Sequence, residues 1–197
     1  MSPPPLSPQE LNNLKKAIEQ EFLKATNGFE DICFRSARHE YVAKYSDLKE
    51  ILETKYSIVG GRYNPPGIAI LYLSCDEYTC LAERTYARKQ ATIPESKFFP
   101  LTIFAIKVRL TKILDLTDGD VCLALGVLES DLTDEDNNTN WFAIQDSGKE
   151  ALTQSIGRLA KEVGFEGLLV PSARFDGKNL NLFYPDNIPP SSVEVVT

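Results

Sequence analysis

Helix-patterned and strand-patterned segments are interleaved in this chain without a steady strand–helix–strand alternation. That order constrains the fold more than any single residue does. A doubly wound parallel sheet requires the alternation, so its absence over 197 residues predicts an α+β domain with a largely antiparallel or mixed sheet. Hydrophobic residues make up 43% of the chain, enough for a substantial core.

The segments read as follows. Ser7, Pro8 and Glu10 in SPQE form a capping box with a helix-compatible proline. Leu11, Leu14, Ile18, Phe22 and Ala25 then line one face of a helix that Asn27-Gly28 closes. DICFRSA is a strand, and SDLKEILETKY a helix capped by Ser46 or Asp47. The strand IAILYLS precedes a helix running to about residues 88–90, with Ser74 and Glu77 as its capping box and both Cys75 and Cys80 on it. FPLTIFAIKVRLTKILDL is a long β stretch that breaks in the middle. Asp118-Gly119 is a turn, VCLALGVL a short helix and DLTDEDNNTN a surface loop. SGKEALTQSIGRLAKEVG is a helix that stops at Gly164. FEGLLVPSA, LNLFYP and VEVV close the chain as strands.

Several functions are disfavoured at once. With 28 acidic and 21 basic side chains the net charge is −7, which argues against direct nucleic-acid binding and against attraction to anionic lipid. The apolar runs are too short to span a membrane, and MSPPPLSPQE lacks the features of a signal peptide. Four cysteines without CxxC spacing and a single histidine make no zinc set, so no metal is expected. The thiols are expected to be reduced and the protein cytoplasmic. His39, beside Glu40, suits a solvated surface role. GxGxxG and GxxxxGK[ST] are both absent.

Three places carry candidate chemistry. GGRYNPPG sets Arg62 in a stiff, glycine-hinged loop, either to fork onto phosphate oxygens or to pair with a carboxylate in an ordinary turn. Glu83 in CLAERTYAR lies near the apolar side of its helix, as a site carboxylate or as a salt-bridge partner of Arg84 or Arg88. Ser172 in VPSAR follows an apolar strand, at a ligand-bearing strand end or at a Pro-Ser turn.

Taken in order, GGRYN with the following PPG, ILYLS, LAERTYAR and GLLVPSAR resemble the RES-domain family, named for its conserved Arg, Glu and Ser. The resemblance runs from about residue 31 to about 185. It places those three at Arg62, Glu83 and Ser172, with Arg35 in CFRSA and Tyr72 in LYL as further members and Tyr63 as a weaker pocket residue. It implies an ADP-ribosyltransferase-like α+β fold, with mixed or antiparallel sheets around a cleft. It divides the chain into an N-terminal extension with a helix, residues 1–28, and a catalytic domain, residues 29–197. Tyr63 stands where many members have Trp. The added helix has three open roles: docking on the core, pairing two subunits as a homodimer, or covering the cleft.

The family likeness also implies NAD as substrate rather than cofactor, cleaved between nicotinamide and ribose by a glycohydrolase or phosphorylase. Such an enzyme acts as the toxin of a toxin–antitoxin pair whose antitoxin is a helix-turn-helix protein. Glu83 would stabilise the cationic ribose, Arg35 and Arg62 would clamp the diphosphate, Tyr72 would stack on nicotinamide, and Ser172 would hydrogen-bond the ribose or carboxamide. The alternatives are an ADP-ribosyltransferase that modifies a protein, and a silent nucleotide- or partner-binding module.

Overall fold

The computed structural model describes residues 6–25, 28–42, 48–52, 59–90, 92–133 and 140–196. The first helix, α1 (Pro8–Lys24), starts where the sequence says it should. Ser7 N donates to Glu10 Oε2 at 2.7 Å and Glu10 N to Ser7 Oγ at 3.3 Å, so two otherwise orphaned donors are satisfied. The helix docks on the core of its own chain. Leu14 and Ile18 are buried, and Phe22 meets Phe165 edge-on at 5.1 Å. Full burial of a side chain such as Ile18 stabilises by about 1.5–3 kcal/mol. Ala25 caps its C-terminus, and Asn27 lies outside the described residues.

Among the described residues seven strands form one mixed sheet: β1 (Phe29–Arg38), β2 (Leu71–Ser74), β3 (Leu101–Leu110), β4 (Ile113–Asp115), β5 (Gly167–Pro171), β6 (Lys178–Leu182) and β7 (Val193–Val195). Their spatial order is β4-β5-β6-β2-β1-β3-β7, antiparallel except for the β4–β5 pair. The α+β architecture and the break in the long β stretch, between Leu110 and Ile113, agree with the sequence reading. The sheets implied around the cleft are joined here into a single sheet with one weak seam. β1 pairs with β3 along its whole length, from Phe29↔Leu110 to Arg38↔Leu101, but meets β2 only at Phe34↔Ser74.

Apolar layers cover both faces. One joins Leu14 and Ile18 of α1 to Leu168 and Val170 of β5 and to Ile156, Leu159 and Ala160 of the helix Leu152–Val163. The other joins Leu71, Leu73, Leu180 and Leu182 to Cys33, Ile106 and Val108 across the seam. β5, with four consecutive buried residues, is therefore apolar throughout.

Local expectations needed correction in several places. The helix expected over SDLKEILETKY is a short 3-10 turn, Leu48–Leu52, within the described residues; positions 46, 47 and 53–56 fall outside them. β2 is shorter than IAILYLS because the preceding loop takes the backbone of Ile68, whose N donates to Pro65 O and whose O accepts from Asn64 Nδ2. The helix α2, defined here as Glu77–Gln90, is capped by Asp76, whose Oδ1 accepts from Thr79 N at 2.8 Å. Ser74 instead donates to Asn179, and Cys75 precedes the helix. Asp118, read as a turn, caps the helix Gly119–Leu125. The acidic loop begins inside a helical turn, Glu129–Thr133, and residues 134–139 lie outside the description. A short helix, Trp141–Asp146, was not foreseen. The helix Leu152–Val163 starts four to five residues later than its pattern suggests and ends at Gly164, as expected.

Candidate active site

A cleft of about 810 Å³ opens beside the β1–β2 seam. Arg35, Arg62, Tyr63, Tyr72 and Glu83 all line it, although they come from two strands, a loop and a helix. Ser172, at the end of β5, completes the group by contact with Glu83.

The loop that carries Arg62 is a tight turn. Gly61 N donates to Asn64 O at 2.8 Å and Asn64 N to Gly61 O at 3.3 Å, which places Arg62 and Tyr63 at its tip. Gly60 has φ +76°, a conformation that side chains resist. At Gly61 a Cβ would lie 2.6 Å from the Tyr72 hydroxyl and 2.8 Å from Asn64 Oδ1. Gln154, fully buried on its helix, pins the turn from behind by donating to Gly61 O at 3.0 Å. The Tyr72 hydroxyl donates to Asn64 Oδ1 at 2.6 Å and accepts from Tyr63 N at 3.1 Å. Tyr72 thus presents its ring to the cleft while its hydroxyl braces the loop. Arg62 Nη1 donates to Leu132 O at 3.0 Å, which fixes the direction of the guanidinium. Tyr63 is only 3% exposed and donates to the same carbonyl, and burial pushes its phenol pKa up.

Glu83 is held from the opposite wall. Ser172 Oγ and Asn179 Nδ2 both donate to its Oε1 at 2.7 Å. Oε2 accepts no hydrogen bond among the described residues. Ser172 Oγ also accepts from Arg174 N at 3.1 Å, and Asn179 Oδ1 accepts from Ser74 Oγ at 2.8 Å. The carboxylate therefore sits at the end of a hydrogen-bonded chain that fixes its rotamer. Arg84 and Arg88, its proposed salt-bridge partners, lie over the Phe98 ring at 5.4 and 5.8 Å instead.

The cleft lining of this acidic chain holds four arginines, Arg35, Arg62, Arg84 and Arg174, and one carboxylate, Glu83. Arg174 lies 3.4 Å from the Tyr86 ring centroid, a cation–π contact. Burial draws its pKa below the usual guanidinium value; nearby Arg62 adds to that and Glu83 opposes it. Sequence reasoning missed Arg174, Asn179 and Asn181. A signal for the asparagines was present in KNLNL, where alternation puts both on one face of β6 and the leucines on the other. Trp141 and Phe142, also in the lining, belong to the unforeseen helix. His39 stays outside, its Nδ1 3.1 Å from Thr102 Oγ1 on an exposed surface. No cluster of three potential metal ligands occurs among the described residues.

Residues 32–195 match the RES domain family, a span that holds every one of the candidate positions. The chain belongs to the RES-domain family. A solved structure similar to this RES-domain chain is the M. tuberculosis MbcT–MbcA toxin–antitoxin complex, at TM-score 0.70 and 23% identity, covering 94% of this chain and 90% of that one. At that identity the likeness establishes the fold. No curated protein is significantly similar in sequence.

Proposed function

We propose that this RES-domain protein consumes NAD by cleaving the bond between nicotinamide and ribose, and that it does so as the toxin of a toxin–antitoxin pair. The observation that carries the reading is the charge layout of the cleft: one braced carboxylate, Glu83, among four arginines. A dinucleotide presents the complementary layout, two negative phosphates and a ribose that becomes cationic on reaction. Arg35 and Arg62 bind the diphosphate. The glycosidic C–N bond breaks with its electron pair going to the pyridine nitrogen, so nicotinamide leaves neutral without an acid. Glu83 Oε2 lies against the ribose and stabilises the oxocarbenium-like state. Ser172 and Asn179 act through Glu83 as positioning residues, and Tyr72 offers its ring to the pyridine. Water then adds with loss of a proton to give ADP-ribose, or phosphate adds to give ADP-ribose-1″-phosphate.

The partner half of the proposal rests on the family, on the toxin–antitoxin complex of similar fold and on the rim of the cleft. Phe142, in the lining, is 60% exposed, and beside the lining residue Arg174 in sequence Phe175 stacks on exposed Tyr78 at 6.3 Å. Aromatic surface of this kind suits burial against an antitoxin. No helix among the described residues is long and apolar enough to cross a membrane.

The test is incubation of the purified chain with NAD, with and without phosphate, and chromatography of the products, with Arg62→Ala alongside. NAD loss that falls at least tenfold in the variant supports the cleft assignment. ADP-ribose names water as acceptor and the 1″-phosphate names phosphate. NAD left intact by the wild type, with no ADP-ribose transferred to any protein, would overturn the proposal.

A further inference from the structure

Asn181 occupies the next position on the same face of β6 as Asn179, which holds Glu83. It is 1% exposed, yet neither its Nδ2 nor its Oδ1 has a hydrogen-bond partner among the described residues. It borders the cleft, between Tyr72 on β2 and Leu168 on β5. A buried amide with both ends unmet is costly, and it is the less expected here because its neighbour Asn179 is satisfied on both ends. Nearby polar groups are already engaged: the Tyr72 hydroxyl with Asn64, and the Ser74 hydroxyl with Asn179.

A planar group with a donating nitrogen beside an accepting oxygen matches another primary carboxamide, which offers the reciprocal acceptor and donor. Successive same-face residues on a strand are about 7 Å apart. A pyridine ring with a carboxamide meta to its glycosidic nitrogen spans a similar length, from the bond beside Glu83 to the amide. Resting on the NAD reading above, we infer that Asn181 is the specificity residue that reads the nicotinamide carboxamide. It recognises the leaving group rather than the ADP-ribose half, and it aligns the pyridine against the Tyr72 ring.

The test compares kcat/KM for NAD with that for two analogues, the 3-acetylpyridine dinucleotide, which lacks the amide donor, and the nicotinic acid dinucleotide. The wild type should prefer NAD by about tenfold or more. Asn181→Ala and Asn181→Ser should lose most of that preference through the NAD value, while ADP-ribose binding by calorimetry stays within about threefold of wild type, since the mutated group does not touch that half. If neither variant folds, inhibition of the wild type by free nicotinamide against 3-acetylpyridine reads the same preference. Equal use of all three dinucleotides by an active wild type would overturn the assignment and leave the NAD reading standing, with solvent then meeting the amide. Retained preference in a folded variant would do the same. A wild type that cleaves none of the three would overturn both.

Discussion

The two edges of β1 are used in opposite ways. One edge is zipped to β3 over all ten residues; the other touches β2 at a single pair. On β1 itself Cys33 joins Ile106 and Val108 of β3 in the core, whereas Phe34, Arg35 and Ser36, next to the point where the β2 pairing stops, line the cleft. Backbone pairing and ligand space compete for the same strand edge. The sheet stays continuous because Leu71 and Leu73 share an apolar layer with Cys33 below the seam, so side-chain packing replaces missing ladder hydrogen bonds.

The sharpest way to break this comparison is on the zipped side. Ile106→Ala, at a position with no exposure, should cost about 2–5 kcal/mol in denaturant unfolding while the assay of a folded sample changes little. A large activity loss at unchanged stability would show that the two edges are not separate in role. On the open side the expected pattern reverses. Gly61→Ala pushes a Cβ against the Tyr72 hydroxyl and Asn64, and should displace the Arg62 turn, raising KM about tenfold for a stability loss of about 1–3 kcal/mol. Ser172→Ala removes one of two donors to Glu83 and should lower kcat about tenfold with less than about 1.5 kcal/mol of destabilisation. An unchanged kcat would mean that Asn179 alone orients the carboxylate.

What was legible in the sequence was mostly local. The SPQE box and the Gly164 stop are decided by contacts within one turn, and each formed as read. The family motifs named five residues that the structure gathers around one cleft, and a sixth that touches Glu83. The seam was not legible, because the register of β1 against β2 and β3 depends on partners distant in sequence. The cap of α2 was misread for a related reason: Ser74 had a suitable pattern, but a strand neighbour, Asn179, took its hydroxyl and left Asp76 to cap. The asparagines of β6 were passed over because a polar residue in a closing strand ordinarily points to water, whereas here Asn181 is buried against the cleft.

The central claim is that Glu83 stabilises the ribose cation of bound NAD, and it is tested most directly by Glu83→Gln. The glutamine keeps the size and the hydrogen-bonding oxygen for Ser172 and Asn179 but removes the charge. NAD turnover and NAD binding are measured on the same preparation. The account predicts turnover lowered by about a hundredfold or more, with NAD binding within about threefold of wild type. Turnover near wild type in a variant that still binds NAD would contradict it.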